Sequence, residues 1–172
     1  MRVRYWQIGF SFLLIGIVIL ALCTFYNIWG FGKPLLQTRL FAAIWQNDLE
    51  KVVVAINHGA DPNGPSTQLN RPTPLMDASR LGNLEIVRFL LDKGADPNKG
   101  DRAGHTALFY TLDSPFLGGP EDKVSGQIVK QLISHGATTS ALDIREAASY
   151  LPAGDPRLRA WQEIVVKTKS GR

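Results

Sequence analysis

The sequence predicts an all-α chain: a stack of repeated helix pairs preceded by one membrane-spanning helix. Three observations predict it. A short glycine-centred motif recurs, the openings of two units stand 33 residues apart, and an uncharged apolar run of 22 residues precedes them. A helix pair of that period cannot bury its apolar face alone, so neighbouring pairs must stack.

The apolar run extends from Ile8 to Trp29, interrupted by Ser11, Thr24 and Asn27, and holds 13 Ile, Leu, Val and Phe residues. As a helix it would be roughly 33 Å long, enough for a hydrocarbon core of about 30 Å. Tyr5 and Trp6 flank one end and Tyr26 and Trp29 the other, as amphipathic rings do at two membrane–water interfaces. Two rival readings fit the residues less well. A cleaved signal peptide has a shorter apolar core, of about 7–15 residues, and small residues at its cleavage site, where this chain offers Ile19 and Ala21. Leu20-Ala21-Leu22-Cys23 resembles a lipobox, but Leu22 stands where that motif has a small residue. Arg2, Arg4 and the amino terminus slightly outweigh Lys33 and Arg39, which favours a cytoplasmic N-terminus and a periplasmic soluble domain. Residues 1–7 are then a short tail, 8–29 the anchor and 30–37 a linker. Eight extended residues reach no more than about 29 Å, so the following domain is held near the bilayer.

The repeats begin after the linker. Three segments close alike: His58-Gly59-Ala60-Asp61-Pro62-Asn63, Lys93-Gly94-Ala95-Asp96-Pro97-Asn98 and His135-Gly136-Ala137-Thr138. Thr73-Pro74-Leu75-Met76-Asp77-Ala78 opens the middle unit, and Gly104-His105-Thr106-Ala107-Leu108 opens the next. Thr38 to Ala43 is a degenerate first opening, its two extra residues absorbed in the polar stretch 64–72. In the middle unit Pro74 suits a first helical turn, where no N–H partner is needed. Leu75, Ala78 and Ser79 share one short stripe. Gly82 and Gly94 can take the left-handed conformation that ends a helix, and Asn47, matching Gly82, is the next best residue for it. Ile86, Val87, Leu90 and Leu91 show the spacing of a helix packed on its neighbours. Asp96-Pro97-Asn98 supplies turn chemistry. Leu112 to Gly126 is a Gly- and Pro-rich insertion in the third unit, and loops of that length are uncommon unless functional or disordered. Its Phe116 and Leu117 either make a second contact or tuck back on the helices.

These residues resemble the ankyrin-repeat family, with residues 71–98 following its pattern nearly throughout and Met76 standing where the family usually has His. The resemblance implies an ankyrin-repeat solenoid over 38–169, with repeats at about 38–70, 71–103 and 104–140. A degenerate C-terminal cap at 141–169 completes it.

Chemistry is absent from the sequence. Cys23 is the single cysteine, so no intramolecular disulfide forms. No metal, phosphate or nucleophile-elbow motif occurs. His58 and His135 precede a Gly at matching helix ends, where a cap favoured by the helix dipole is the better reading than a metal ligand. His105 falls at a surface position of the family's turn. Net charge is +4, from 19 Lys and Arg against 15 Asp and Glu, and the cations are scattered. Only the tail after Asp155 leans basic, so no nucleic-acid arm is expected. No enzyme, cofactor or metal site is expected.

The resemblance also implies where a partner binds. In the family the first helices and the hairpin tips line a concave groove that contacts another protein. By its pattern the groove-facing positions here are Ala42 and Trp45, Asp77 and Arg80, and Tyr110 and Asp113. The tips add Gln68, Asn70, Arg71, Lys99, Asp101 and Arg102. Trp, Tyr and Arg dominate interface energetics, so Trp45, Arg80 and Tyr110 lead this set. The plain alternative is that Trp45 covers the edge of the first repeat and Arg80 sits in solvent. The expected function is a protein-binding module tethered to a bacterial inner membrane, of inhibitor or immunity type and facing the periplasm. A scaffold or assembly factor for a membrane or periplasmic enzyme is the alternative. A cytoplasm-facing binder of nucleic acid or lipid surfaces ranks lower, and hydrolase activity lowest.

Overall fold

In the computed structural model the described residues are 33–114 and 123–138, with isolated positions 17, 18, 21 and 163. Among them the regular structure is helical throughout. The elements are α1 (Lys33–Trp45), α2 (Leu49–Asn57), α3 (Pro74–Leu81), α4 (Leu84–Asp92), α5 (Ala107–Leu112) and α6 (Lys123–Ser134). They form three pairs in two layers. The first helices α1, α3 and α5 stand in one row, the second helices α2, α4 and α6 in another.

Local chemistry sets the ends of these helices. Thr73 caps α3: its Oγ1 accepts from the Met76 backbone N–H at 3.3 Å, and the Met76 Sδ accepts from the Thr73 N–H at 3.1 Å. A buried thioether thus completes a capping box that usually needs a polar side chain. Asn47 (φ +52°) and Gly82 (φ +76°) both adopt the left-handed conformation between first and second helices, as their matching positions predict. Asp48 then caps α2 through the Lys51 N–H at 3.0 Å. His58 ends α2, its Nδ1 2.7 Å from the Val54 carbonyl oxygen, and His135 ends α6 in the same way at 2.9 Å from Gln131.

The core runs unbroken through all three pairs. Leu40, Ile44, Val52, Leu75, Met76, Ile86, Leu90, Leu108, Leu112, Ile128 and Leu132 are fully buried in one cluster. Polar staples join one repeat to the next. Asn83 donates to the Ile44 carbonyl at 2.7 Å, and the Ser114 hydroxyl donates to the Arg80 carbonyl, so α1 and α3 each have a C-terminal oxygen satisfied by the following repeat. Asn63 accepts from the Asp96 N–H at 2.7 Å and donates to the Gly94 carbonyl at 2.9 Å. Asn98 does the same to Thr138 and Gly136, at 2.7 and 2.8 Å.

Three expectations change. The segment 30–37 is not all linker, because α1 starts at Lys33, ahead of the expected Thr38. Gln37 is already a packed residue, its side chain bonded to Asp61 and Gly64, so the full extended reach of eight residues does not apply. The stripe on α3 is also too narrow: Pro74 through Ser79 are all buried, because this helix lies between two others. The insertion is shorter than Leu112 to Gly126, since Leu112 packs in α5 and Lys123 to Gly126 belong to α6. Phe116 and Leu117, the cap at 141–169 apart from Glu163, and the apolar run 8–29 apart from Ile17, Val18 and Ala21 lie outside the described residues. Among the described residues no helix is long and apolar enough to cross a membrane.

Candidate protein-binding groove

The groove follows from the stacking. With α1, α3 and α5 in one row, the exposed Trp45 and the half-buried Arg80 and Tyr110 come together beside the tip at 64–72. Trp45, from the last turn of α1, is 46% exposed. Its indole N–H donates to the Asp77 carboxylate on α3 at 3.2 Å. Arg80, one turn further along α3, pairs with Asp77 at 3.1 Å. Its guanidinium lies 5.1 Å from the Trp45 ring centroid and 6.0 Å from that of Tyr110 on α5. One cation therefore bridges two rings on neighbouring helices, an arrangement worth about 0.5–1 kcal/mol per contact at an exposed site.

The acidic members of the expected set play another part. The Asp77 side chain is 0% exposed and underpins the Trp45–Arg80 pair from below. Burial raises its carboxyl above the ordinary value, against the Arg80 charge and the Trp45 and Arg80 hydrogen bonds, which pull it down. Asp101 is likewise 0% exposed at its side chain and organises the second tip from within. Its Oδ1 accepts from the Ala103 and His105 N–H groups at 2.8 and 2.9 Å, and its Oδ2 from the Tyr110 hydroxyl at 2.9 Å. Burial, then the hydrogen bond to this carboxylate, holds the Tyr110 phenol well above its usual range, so it stays a donor. Neither carboxylate is presented to a partner. The reason is hydrogen bonding: Asp77 holds the Trp45 indole and Asp101 the Tyr110 hydroxyl.

The remaining expected positions stay at the surface. Ala42 lines the first cleft with Trp45, and Asp113 lines the second with Arg80 and Tyr110. Gln68, Asn70, Arg71, Lys99 and Arg102 are exposed on the tips. Two clefts flank the 64–72 tip. One, of about 720 Å³, lies against α1 between Phe41, Trp45 and Arg71. The other, of about 650 Å³, lies against α5 between Leu69, Arg80, His105, Phe109 and Tyr110.

Sequence reasoning missed His105, Phe109 and Leu69. The His105 ring stacks on Phe109 with centroids 4.1 Å apart and is mostly covered, where a surface position was expected. The i, i+4 spacing of the two residues was the available signal. Leu69, 85% exposed between Gln68 and Asn70, is an apolar side chain at a tip with no covering neighbour in the chain pattern to announce it. Among the described residues no group of three or more His, Cys, Asp or Glu is gathered as for a metal ion.

Residues 40–143 match the family of ankyrin repeats in three copies, more than half of the chain. The chain is 36% identical over 72 residues to the human Arf-GAP with coiled-coil, ANK repeat and PH domain-containing protein 2, which spans 42% of this chain and 9% of that protein. It is 37% identical over 78 residues to the interferon antagonist OPG040 of vaccinia virus (strain Western Reserve), spanning 45% of this chain and 26% of that one. A third relative, Protein HOS4 of Saccharomyces cerevisiae, is 42% identical over 53 residues, spanning 31% of this chain and 5% of that one. The chain thus spans about a quarter or less of the length of each.

Proposed function

The chain belongs to the ankyrin-repeat family, and from that premise we propose that it binds another protein through the Trp45–Arg80–Tyr110 face while anchored to a membrane. An ankyrin-repeat stack is a protein–protein interaction module. The observation that carries the choice of face is the cation held between two rings across three adjacent helices. Asp77 and Asp101 fix these side chains before any partner arrives, so little rotamer freedom is lost on binding. The finer role we propose is that of an inhibitor or immunity-type protein at the periplasmic face of a bacterial inner membrane, with a scaffold for a membrane or periplasmic enzyme as the alternative.

The anchor reading rests on the uncharged run from Ile8 to Trp29 with its aromatic flanks. Alkaline carbonate extraction tests it: the full chain stays in the membrane pellet, and release into the supernatant refutes an anchor. A topology reporter after Arg172 gives the side of the membrane. The groove is tested by co-purification of the full chain from membranes. Trp45→Ala with Tyr110→Ala should lose the bound protein at least tenfold, each such anchor being worth 1–2 kcal/mol or more. Unchanged recovery refutes this face.

A further inference from the structure

The tips carry a charge pattern that the aromatic row does not account for. Arg71 on the first tip and Lys99 and Arg102 on the second are all exposed, and with Pro65, Gly100 and Asp101 they line one cleft of about 470 Å³. The two tips are tied together there, the Arg102 N–H donating to the Asn70 carbonyl at 2.9 Å. Among the described residues Lys51, Arg80 and Arg88 meet the carboxylates of Asp48, Asp77 and Glu85, and Lys93 lies over the Phe89 ring. Arg71 and Arg102 make no ion pair among the described residues, and the Lys99 Nζ donates to a neutral oxygen, the Asn63 carbonyl, at 2.9 Å. The one carboxylate of the cleft, Asp101, has its oxygens taken by Ala103, His105 and Tyr110. Three cations thus face one cleft whose only carboxylate is turned away.

We infer that this cleft receives an acidic segment of the partner protein, with Arg71, Lys99 and Arg102 pairing with two or three of its carboxylates. The inference deepens the groove reading above and rests on it. Continuity supports it: Arg71 also lines the cleft that holds Trp45, and the exposed Leu69 stands beside it on the same tip. The segment that fits is therefore acidic at the tips and apolar or aromatic toward the groove floor. A lipid surface is the poorer match. Arg71 also faces the cleft that holds Trp45, which a flat headgroup plane does not enter. Complementary charge at such a rim acts mostly on encounter and on rejecting wrong partners, so its signature is a salt-sensitive association rate.

The test uses the full chain in neutral phosphatidylcholine nanodiscs as bait for a random dodecapeptide display library. Selected peptides should be rich in Asp and Glu around an aromatic or Leu. They should bind an Arg71→Glu/Lys99→Glu/Arg102→Glu variant about tenfold or more weakly, as three exposed pairs together allow. The Arg71→Glu/Arg102→Glu variant, which keeps the Lys99 bond to Asn63, should show most of that loss with an unchanged melting temperature. Neutral or basic peptides that bind the charge variants normally but are lost by Trp45→Ala/Tyr110→Ala would overturn the acidic partner and leave the groove standing. Peptides lost by neither variant would sink both. Binding of phosphatidylserine vesicles through the same three residues, with no acidic peptide selected, would also overturn it.

Discussion

At the scale of single residues, the buried Asp77 and the half-buried Tyr110 make the groove sensitive to pH in opposite ranges. Asp77 has its carboxyl raised by burial, so its protonated form fits the fold better than its anion. Its contribution to stability is fully present below the free carboxyl's pKa, about 3.9, and is lost as pH rises through the folded-state value. Asp77→Asn mimics the protonated form and still accepts from the Trp45 indole. The melting temperature of the variant relative to the parent should therefore be more favourable at pH 7 than at pH 4. Equal differences at both would show that the Arg80 pairing cancels the burial, and a reversed difference that it outweighs it. Tyr110 behaves likewise at the alkaline end. Its phenol is raised by burial and the Asp101 bond, so its contribution is intact below pH 10 and lost above it. Tyr110→Phe should lose the bond and about 1 kcal/mol near neutrality, yet unfold less steeply above pH 10 than the parent. Alkaline titration followed by circular dichroism checks this.

At the scale of elements, the recurring Asp-Pro-Asn reads in the sequence as local turn chemistry, and half of that reading holds. Asp61 and Asp96 do bond the Asn63 and Asn98 N–H groups two residues on, at 2.8 Å each. The asparagine side chains reach instead to the following repeat, across 31 to 40 residues of sequence. Asn63→Ala should cost about 1–2 kcal/mol for two lost bonds, which urea unfolding can measure. Asn63→Asp should cost about half as much, because it keeps the acceptor for the Asp96 N–H and loses only the donor to Gly94. Gln37 plays the asparagine's part for the first repeat, on a longer side chain and from inside α1. Gly64 packs against it, a Cβ there standing 2.9 Å from the Gln37 amide. Gly64→Ala should therefore displace that amide and lose its bonds, visible as faster hydrogen exchange at Asp61.

At the scale of the whole molecule, the unbroken core ties the groove's geometry to stacking. Leu90 is fully buried in α4, between the flanking second helices. Leu90→Ala should cost about 2–5 kcal/mol through lost transfer energy and a residual cavity. Because neighbouring repeats share that core, denaturation of the variant, with Trp6, Trp29 and Trp161 replaced by Phe so that Trp45 reports alone, should move together by Trp fluorescence and by circular dichroism. Separate transitions would show repeats that unfold independently, and the row of Trp45, Arg80 and Tyr110 would not then be a rigid unit. The charge surplus belongs to this scale as well. Scattered along the chain, Arg71, Lys99 and Arg102 look like ordinary solvated cations, and only the adjacency of two tips gathers them.

What the amino-acid order determined alone is periodic and local. The 33-residue spacing, the left-handed positions at Asn47 and Gly82, the proline at the start of α3 and the histidine helix ends all follow from backbone preferences that act within a few residues. Trp45, Arg80 and Tyr110 were legible because a repeat maps equal register to equal face. Only the tertiary structure decided which way Asp77 turns and that α1 reaches back to Lys33, with Gln37 bonded to Asp61. Those depend on partners about 30 residues away or on how tightly two rows of helices close. No local rule encodes that distance; burial of the shared core sets it.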